Sequence, residues 1–571
     1  MRRSISALTE KEFDLIVVGG GIFGVCAVWD AVLRGLSVAL VERGDFCHAT
    51  SANHLKMVHG GIRYIQHADL YRVRESSKER TALLRIAPHL VQPIPIVMPT
   101  YGHGMNGKEI LYAGILLYDL TVFDRNKGLK DPARRIPNGR IISRKECLDL
   151  LPDLDKKGLT GAAIFYDGQM YNPPRLALSF VRSASTAGAC VGNYLEVTGF
   201  SQKANRIIGV KVKNVLDGNK FEIRGKMVLN ASGPWANKLL RLGLGQELKS
   251  IPSFSRDAGF VVPRRLTGDY GFACQIKTKD PDAVLSREGR HIFIMPWRNC
   301  SLFGSWHVVY KGEPDEFTVS EHELQSFLDD INEAYPKFEL KREDISIVYS
   351  GLTLFGENMP GETDLSYGKR SLIIDHAKEH NLDGLVTLIG VRATTARGSA
   401  EKAIDLALKK LGKKATKSKT SITPIYGGKI RHFEEFLRLA FEQHTQTTSA
   451  EVIRSMVHNY GSEYGEVLKY IDQNPSWAQT VGNTKVLKAE IVHAVREEMA
   501  QKLGDVIFRR TDLGTEKNPG VDALQTCADL MAKELEWDEK RTQRELEEVK
   551  TCFPMPYIEK KYLYTNKNVE V

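Results

Sequence analysis

The sequence predicts an α/β protein with a parallel sheet, a second and largely antiparallel sheet, and a C-terminal all-helical domain. Residues Asp14 to Arg43 read in order as a strand, a glycine turn, a helix, a second strand and an acidic end. Strands, glycine turns and helices then alternate up to about residue 425. From Ile430 to Val549 apolar residues recur every three or four positions, which is typical of amphipathic helices. A chain of 571 residues is long enough for two or three such domains.

The first unit has the spacing of a turn that binds the diphosphate of a dinucleotide. Leu15 to Val18 are continuously apolar, as a strand buried on both faces of a parallel sheet must be. Gly19 permits the tight turn, Gly21 lets the backbone approach the diphosphate, and Gly24 lets the helix pack close to the strand. The unpaired amides at the helix start favour negative charge, so no lysine is required.

An acidic residue at the end of the second strand narrows the choice of dinucleotide. Glu42 lies 18 residues after Gly24, where its carboxylate can accept the two ribose hydroxyls. A ribose 2′-phosphate would be repelled there. The sequence therefore predicts NAD or FAD rather than NADP.

Two later strands favour FAD. Asn193–Phe200 is expected to meet the adenine with its backbone around Val197, and Lys226–Ala236 is expected to return to the dinucleotide. Either segment alone can be an ordinary buried strand and turn, but their order and spacing after the first motif support the cofactor interpretation. The turn of the second segment contributes Ala231, Gly233 and Trp235.

The change of character near residues 409–428 divides the chain. Val261–Pro263, His291–Pro296 and Ser301–Trp306 are predicted strands of the second sheet. We therefore expect an FAD-binding domain interleaved with a substrate domain over residues 1–428, and a C-terminal helical domain over residues 429–571.

Charge and cysteine content exclude several classes of protein. A formal net charge of +9 over this length is mild and does not imply nucleic acid. The basic segment Lys409–Lys419 is favoured as a solvated linker over a contact with anionic lipid. The 8 cysteines are scattered without a CxxC pair, so neither a metal site nor a disulfide framework is expected. A reducing, cytoplasmic location fits, with peripheral contact on the inner face of a membrane left open.

Apolar segments in the sequence are too short to span a bilayer, which needs roughly 18 to 20 apolar residues. The N-terminus has no apolar core of the length that a secretory signal requires. Leu111–Phe123 is the most apolar stretch. Its length and Asp119 favour a core helix over an interfacial anchor.

The segment TSANHLKMVHGGIRYIQ, from Thr50 to Gln66, is the most specific in the chain. With DLIVVGGGIFG, NASGPW, IMPWRNCSLFGSW, YSGLTLF and AVREEMAQKLGDVIFRRTDLG, it resembles the FAD-dependent glycerol-3-phosphate dehydrogenases over nearly the whole chain. The resemblance implies a glutathione-reductase-like FAD domain and a substrate domain above the flavin. It implies hydride transfer from C2 of sn-glycerol 3-phosphate to flavin N5, then electron transfer to a quinone or to oxygen. A homodimer is common in the family.

The same resemblance indicates further cofactor contacts. Some amine-oxidising flavoproteins of this superfamily attach FAD through a histidine near this turn, so His54 is a candidate for an 8α-histidyl bond. A hydrogen bond to the cofactor, or simple packing beside it, is the favoured alternative. The other expected contacts are Arg43, Thr50, Ser51, Lys56, Gly60, Gly390 and Thr394.

The substrate residues of the family are only partly present. Arg63 and Tyr64 match the family's arginine and tyrosine, and a guanidinium suits a phosphate or carboxylate because it offers paired donors. A surface salt bridge is the alternative role for Arg63. Arg392, in GVRATTARG, stands where the family has a lysine over the flavin, and it keeps the positive charge with a different reach.

Other substrate residues of the family are missing. Thr353 in SGLTLF replaces an arginine, and Gly259 in DAGFVVPR stands where a histidine is expected. A second arginine of the family aligns with this chain near Gly368, which lies beside Lys369 and Arg370. Loss of a desolvated arginine costs several kcal/mol of binding, so glycerol 3-phosphate is not assured as the substrate.

Three function classes follow from the sequence. The first is a glycerol-3-phosphate dehydrogenase or oxidase with an unusual pocket. The second is a divergent flavin dehydrogenase or oxidase of another small anionic alcohol or amine, and the third is a flavin-carrying subunit with a decayed pocket. His59, His307 and Tyr64 are candidate bases. For His59 a contact with the backbone or a flavin carbonyl is favoured over proton transfer.

Overall fold

The computed structural model describes residues 1, 3–103, 107–152, 154–245, 254–275, 291–355, 370–444, 448–553 and 560–561. Gly368 and Lys369 lie outside these ranges. In chain order the strands are β1 Leu15–Val18, β2 Val38–Val41, β3 Met57–Val58, β4 Val91–Tyr101, β5 Arg140–Ser143, β6 Leu159–Met170, β7 Cys190–Gly192, β8 Leu195–Lys203, β9 Arg206–Asn214, β10 Lys220–Arg224, β11 Val228–Asn230, β12 Phe254–Val262, β13 Gly271–Gln275, β14 His291–Trp297, β15 Cys300–Tyr310, β16 Thr318–Val319, β17 Ile347–Leu354, β18 Leu372–Asp375, β19 Leu385–Ile389 and β20 Lys560–Lys561.

The α-helices of the described residues follow in the same way. They are α1 Ile5–Thr9, α2 Ile22–Leu33, α3 Leu70–Ile86, α4 Lys108–Thr121, α5 Arg144–Leu150, α6 Pro173–Thr186, α7 Ala236–Leu244, α8 Glu321–Ala334, α9 His376–Glu379, α10 Ala396–Lys410, α11 Phe433–His444, α12 Ala450–Tyr460, α13 Tyr464–Gln473, α14 Lys488–Glu498, α15 Leu503–Asp505, α16 Val521–Leu535 and α17 Glu539–Thr551.

A six-stranded sheet carries the dinucleotide motif. Its order is β18-β19-β11-β1-β2-β7, and every neighbouring pair is parallel except β18 with β19. All four residues of β1 are buried, as its continuous apolar run predicts. The predicted return strand is β11, which pairs directly with β1. The carboxyl ends of β1, β2, β11 and β19 therefore meet at one edge, which is where open α/β sheets bind ligands.

The predicted second sheet is confirmed as a nine-stranded, largely antiparallel sheet. Its order is β17-β12-β15-β14-β13-β4-β6-β3, with β5 added beside β6. The three predicted segments fall on β12, β14 and β15. These strands are neighbours in the sheet, in the order β12-β15-β14. Helix α8 packs against this sheet through Phe327, which contacts Phe260 edge-on with ring centroids 5.8 Å apart.

The C-terminal helices pack on the six-stranded sheet through buried ion pairs. Asp45, in the loop after β2, accepts from Arg510 Nη1 and Arg509 Nε at 2.6 Å each. These two guanidinium groups hold the pKa of Asp45 well below its usual range despite burial. Glu498 pairs in the same way with Arg175 at 2.6 Å and Arg182 at 2.8 Å. The predicted C-terminal all-helical domain, α11 to α17, is confirmed.

The expectation that Leu111–Phe123 forms a core helix is wrong. The segment is helical in α4, but it lies at the surface and buries only Ile115, Tyr118 and Val122. Leu120 is 73% exposed and Phe123 is 80% exposed. Hydrophobicity alone did not show that one face of this helix is exposed among the described residues. Among the described helices, none is both long and apolar enough to cross a membrane.

Candidate active site

A cavity of about 860 Å³ opens where the two large sheets meet. One wall is the edge of the six-stranded sheet, with Gly19, Glu42 and Gly390 at strand ends. The opposite wall comes from the nine-stranded sheet and includes Trp306 and Leu352. The volume is at the upper end of the range for small-molecule sites, so it can hold a large cofactor together with a small substrate.

The glycine turn leaves no room for side chains. Gly19 has φ +108°, and a Cβ there would lie 2.6 Å from the carbonyl oxygen of Ala231. A Cβ on Gly24 would overlap the carbonyl oxygen of Gly19, because α2 packs directly against the turn. Gly21 caps α2, and the amide of Ile22 donates to Ser51 Oγ at 3.0 Å. The start of the helix therefore faces the cavity with backbone amides, as a diphosphate site requires.

The carboxylate of Glu42 is fixed in the cavity wall. It accepts hydrogen bonds from the amide of Gly20 at 2.6 Å and of Gly44 at 2.9 Å. The side chain is buried, and it lines the cavity beside the turn. This is the position expected for a carboxylate that binds ribose hydroxyls.

The far end of the cavity, beyond Glu42, is bounded by Val197 and by a stacked pair. The guanidinium of Arg43 lies 4.6 Å from the ring centroid of Trp235. Both side chains donate to Asp315 Oδ1 at 2.7 Å, and Lys238 bonds the other oxygen at 2.5 Å. Asp315 thus orients the stacked pair, although nothing in the sequence singled it out.

The near end of the cavity is formed by the turn after β2 and by the loop after β19. Thr50 and Ser51 line it, and Thr50 Oγ1 exchanges hydrogen bonds with the backbone of Leu352 at 3.1 Å. Gly390 must be a glycine because a Cβ there would overlap the ring of Phe23. Thr394 Oγ1 accepts the amide of His59 at 3.0 Å.

His54 presents an unsatisfied donor at this end. Its Nδ1 accepts the amide of Lys56 at 2.9 Å, so the ring proton lies on Nε2. Nε2 is buried and has no hydrogen-bond partner among the described residues, although His54 lines the cavity. Burial, followed by the charge of Lys56, lowers the pKa of His54 to about 3, which keeps the ring neutral. A buried orphan donor of this kind fits a cofactor with acceptor atoms.

Two expected cofactor residues do not line the cavity. The ammonium of Lys56 lies between the rings of Trp297, at 4.6 Å, and Tyr349, at 4.5 Å. Burial is the main cause that lowers its pKa to about 7. Gly60 donates its amide to Asp167 and packs against Arg80, so it is a close-approach position behind the wall.

Two guanidinium groups lie over the ring of Tyr64, and a third, that of Arg63, lines the same cavity. Arg63 and Arg392 line the cavity as expected, together with Arg72 from the first turn of α3. The guanidinium carbon of Arg72 lies 4.6 Å from the Tyr64 ring centroid, and that of Arg392 lies 4.9 Å from it. Arg72 was not identified from the sequence because its nearness to Arg392 arises only from the packing of α3. Asp69 lines the same cavity and accepts from Arg72 Nε at 2.6 Å, so one of the three positive charges is already paired. The arginines still outnumber this acid, which favours an anion.

His59 also lines the cavity, and its ring is paired with a buried acid. Its Nδ1 lies 3.2 Å from Asp167 Oδ2, while the other carboxylate oxygen bonds Arg80 at 2.8 Å. Arg80 is fully buried, and both oxygens of the Asp167 carboxylate have partners. His59 is therefore oriented by its neighbours whichever role it has.

The two departures from the family pattern lie on neighbouring strands of the nine-stranded sheet. Thr353 lines the cavity from β17, so the position of the missing arginine does belong to the site. Gly259 lies on β12 directly opposite Tyr349. At Thr353 the wall therefore lacks the arginine that the resemblance would supply.

A domain family described as FAD dependent oxidoreductase matches residues 14–401. A second one, the C-terminal domain of alpha-glycerophosphate oxidase, matches residues 418–542. With the glycine turn and the cavity, these matches define an FAD-dependent oxidoreductase. The chain belongs to the family of FAD-dependent glycerol-3-phosphate dehydrogenases.

Individual relatives agree over nearly the whole length. Glycerol-3-phosphate dehydrogenase of Synechocystis sp. is 29% identical over 557 residues, covering 95% of this chain and 97% of the relative. The human mitochondrial glycerol-3-phosphate dehydrogenase is 31% identical, with 94% and 72% covered. The crystal structure of the Bacillus halodurans glycerol-3-phosphate dehydrogenase complexed with FAD has a TM-score of 0.76 at 23% identity, covering 96% of each chain. The fold and the FAD dependence expected from the sequence are thereby confirmed.

Proposed function

We propose that this protein oxidises a small anionic alcohol of the glycerol 3-phosphate class and passes the electrons to a quinone held in a membrane. The observation that carries the proposal is the presence of three arginines in the cavity wall, Arg63, Arg72 and Arg392, of which Arg72 is paired with the nearby Asp69. Guanidinium groups bind a phosphate or carboxylate through paired donors.

The residues present fit FAD along the whole cavity. We assign the diphosphate to the Gly19–Gly21 turn, the ribose of the adenosine to Glu42, and the adenine to the backbone around Val197. Ala231, Gly233 and Trp235 close this part of the site. The isoalloxazine is assigned to the end formed by Thr50, Ser51, His54, Gly390 and Thr394.

In this arrangement the chain binds and orients the substrate. FAD, when bound, accepts a hydride from the substrate carbon. Arg63 and Arg392 hold the anionic group, which places the carbinol end toward the isoalloxazine end of the cavity. The hydroxyl of Tyr64 lies in the same wall and can bond the substrate oxygens.

The missing arginine at Thr353 keeps a second substrate class under consideration. With fewer anion contacts on that wall, another small anionic alcohol or an amine with a carboxylate can occupy the site. A panel of substrates separates the two, because the proposal requires an alcohol of the glycerol 3-phosphate class, whereas the second class requires a different anionic alcohol or an amine.

Anaerobic flavin reduction tests the proposal. The purified yellow protein is mixed without oxygen with glycerol 3-phosphate, other phosphorylated or carboxylated alcohols, amino acids and uncharged glycerol, and absorbance is followed at about 450 nm. We expect glycerol 3-phosphate or a close anionic alcohol to bleach the flavin, and glycerol to act far more weakly. Bleaching by amino acids alone favours the second class. If dithionite bleaches the flavin and none of the substrates does, the pocket is inactive.

The acceptor is proposed from the position of α4. One face of this helix, including Leu111, Gly114 and Ile115, lines the cavity. The opposite face exposes Leu116, Leu117 and Leu120. A single helix therefore separates the redox cavity from an apolar outer surface, and a lipid surface is the apolar environment that also dissolves a quinone. An oxidase that uses oxygen needs no such face.

We also propose the domain division near residue 428. The helical family match begins at residue 418, and α11 begins at Phe433. The segment between α10 and α11 connects the two parts.

A further inference from the structure

Two cavity side chains on neighbouring strands are paired with each other. Asp257 on β12 and His307 on β15 are direct neighbours in the antiparallel register. Nδ1 of His307 lies 2.7 Å from Oδ1 of Asp257, and both residues line the cavity. The pairing of imidazole and carboxylate is therefore fixed by the sheet itself.

The position where the family resemblance expects a histidine cannot hold a side chain. A Cβ on Gly259 would overlap both the carbonyl oxygen of Phe303 and the hydroxyl of Tyr349. That hydroxyl donates to Phe303 O at 2.9 Å, and Tyr349 is buried, so neither group can move away cheaply. Gly259 is thus locked by its neighbours. An imidazole on this side of the cavity therefore has to come from another position. His307 supplies one from β15, the strand next to β12.

The local contacts give the His307 ring a defined orientation. Oδ1 of Asp257 accepts the hydroxyl of Ser255 at 2.6 Å, and the backbone oxygen of Asp257 accepts the hydroxyl of Ser350 at 2.9 Å. A carboxylate on Nδ1 selects the tautomer whose Nδ1 carries the proton, which makes Nε2 the basic nitrogen. The ring lies beside Phe355 with centroids 6.5 Å apart.

We propose that His307, held by Asp257, accepts the proton that leaves the substrate hydroxyl, an inference that rests on the proposed function. The substrate C–H bond breaks and its electron pair goes to FAD, while the O–H bond breaks and the proton goes to Nε2 of His307. A carbonyl group forms, so the substrate loses two electrons and FAD gains them. Asp330 lines the same cavity from α8, and Arg63 and Arg392 line it from the FAD side. Asp257 acts as the positioning residue, and His307 as the catalytic one.

Single-turnover flavin bleaching tests His307. The variant His307→Asn keeps a polar side chain of similar reach but cannot accept the proton. We expect the limiting rate of anaerobic bleaching to fall about 10²- to 10⁴-fold, with the substrate dissociation constant changed only a few-fold. Added imidazole should restore part of the rate in His307→Ala. His322→Asn, on the exposed face of α8, is the matched control and should bleach at the rate of the unmodified protein.

The Asp257→Asn variant tests the positioning role. Loss of the carboxylate removes the contact that fixes the tautomer and orientation of the ring, so the limiting rate should fall, though less than in His307→Asn, while the substrate dissociation constant changes only a few-fold. A merely structural role would weaken substrate binding and lower the rate together. Flavin content and circular dichroism confirm that each variant is folded.

The outcomes separate the two proposals. If the unmodified protein is bleached by an anionic alcohol and His307→Asn is bleached at the same limiting rate, the proton-acceptor role is overturned while the proposed function stands. If no alcohol bleaches the unmodified protein although dithionite does, both are overturned. A slow His307→Asn that imidazole rescues supports both.

Discussion

The exposed face of α4 gives a quantitative expectation for membrane binding. Leu120 and Phe123 keep 73% and 80% of their surface exposed. Full burial of such a side chain contributes about 1.5–3 kcal/mol, so insertion of the exposed part of both contributes roughly 2–4 kcal/mol. The double variant Leu120→Asp/Phe123→Asp loses at least this contribution. The partition coefficient onto lipid should therefore fall roughly 30- to 1,000-fold.

The assay is co-sedimentation with phospholipid vesicles that contain a long-chain quinone, with quinone reduction measured on the same samples. Leu439→Asp, on the exposed face of α11 at 50% exposure, is the control and should bind as the unmodified protein does. Anaerobic bleaching by substrate should be the same in all three proteins, because the substituted side chains point away from the cavity. Equal vesicle binding by the double variant and the control would refute the role of α4.

Three other expectations concern buried groups. Between about pH 7 and 10.5 the folded state binds fewer protons at Lys56 than the unfolded chain does, so the stability of the protein rises with pH over that window. The variant Lys56→Met removes the buried charge. Its free energy of unfolding, measured with urea, should therefore exceed that of the unmodified protein by roughly 1–4 kcal/mol at pH 6 and by less at pH 9. Acid precipitation should leave the flavin in the supernatant if His54 makes a hydrogen bond, whereas a fluorescent protein band in a gel would establish the 8α-histidyl bond. Arg510→Met removes a fully buried partner of Asp45 and should cost about 3–5 kcal/mol of stability, while Arg438→Met, in an exposed pair, should change it by less than about 1 kcal/mol in calorimetry.

The sequence predicted the parts of the structure that depend on local pattern. The glycine turn, Glu42 and the two sheets were predicted from the spacing of glycines and from the pattern of apolar residues. Both signals depend on residues that are close in the sequence. Such signals do not show what the apolar face of a helix contacts in the folded protein. For this reason α4 was predicted to lie in the core. A segment with the right composition shows its partner only when the neighbouring elements are in place.

The pairs that define the substrate side were beyond the sequence. Asp257 and His307 are 50 positions apart and meet only through strand register. Arg72 approaches Tyr64 because α3 follows the 3₁₀ turn Ile62–His67 closely. Lys56 belonged to the most specific motif, yet its side chain turns into an aromatic pocket behind the wall. The motif correctly indicated that Lys56 lies near the cavity. The direction of its side chain, which determines what it contacts, could not be predicted from the motif.

The Arg63→Ala variant probes the anion site near Tyr64. Anaerobic bleaching is measured over a range of concentrations of glycerol 3-phosphate and of uncharged glycerol, in the unmodified protein and in the variant. We expect the dissociation constant of glycerol 3-phosphate to rise roughly 30- to 1,000-fold in the variant, because a desolvated charge-assisted contact contributes about 2–4 kcal/mol, while the weak reaction with glycerol stays unchanged. An unchanged dissociation constant for glycerol 3-phosphate, or an equal loss for both alcohols, would contradict the claim that this cationic wall binds the substrate anion.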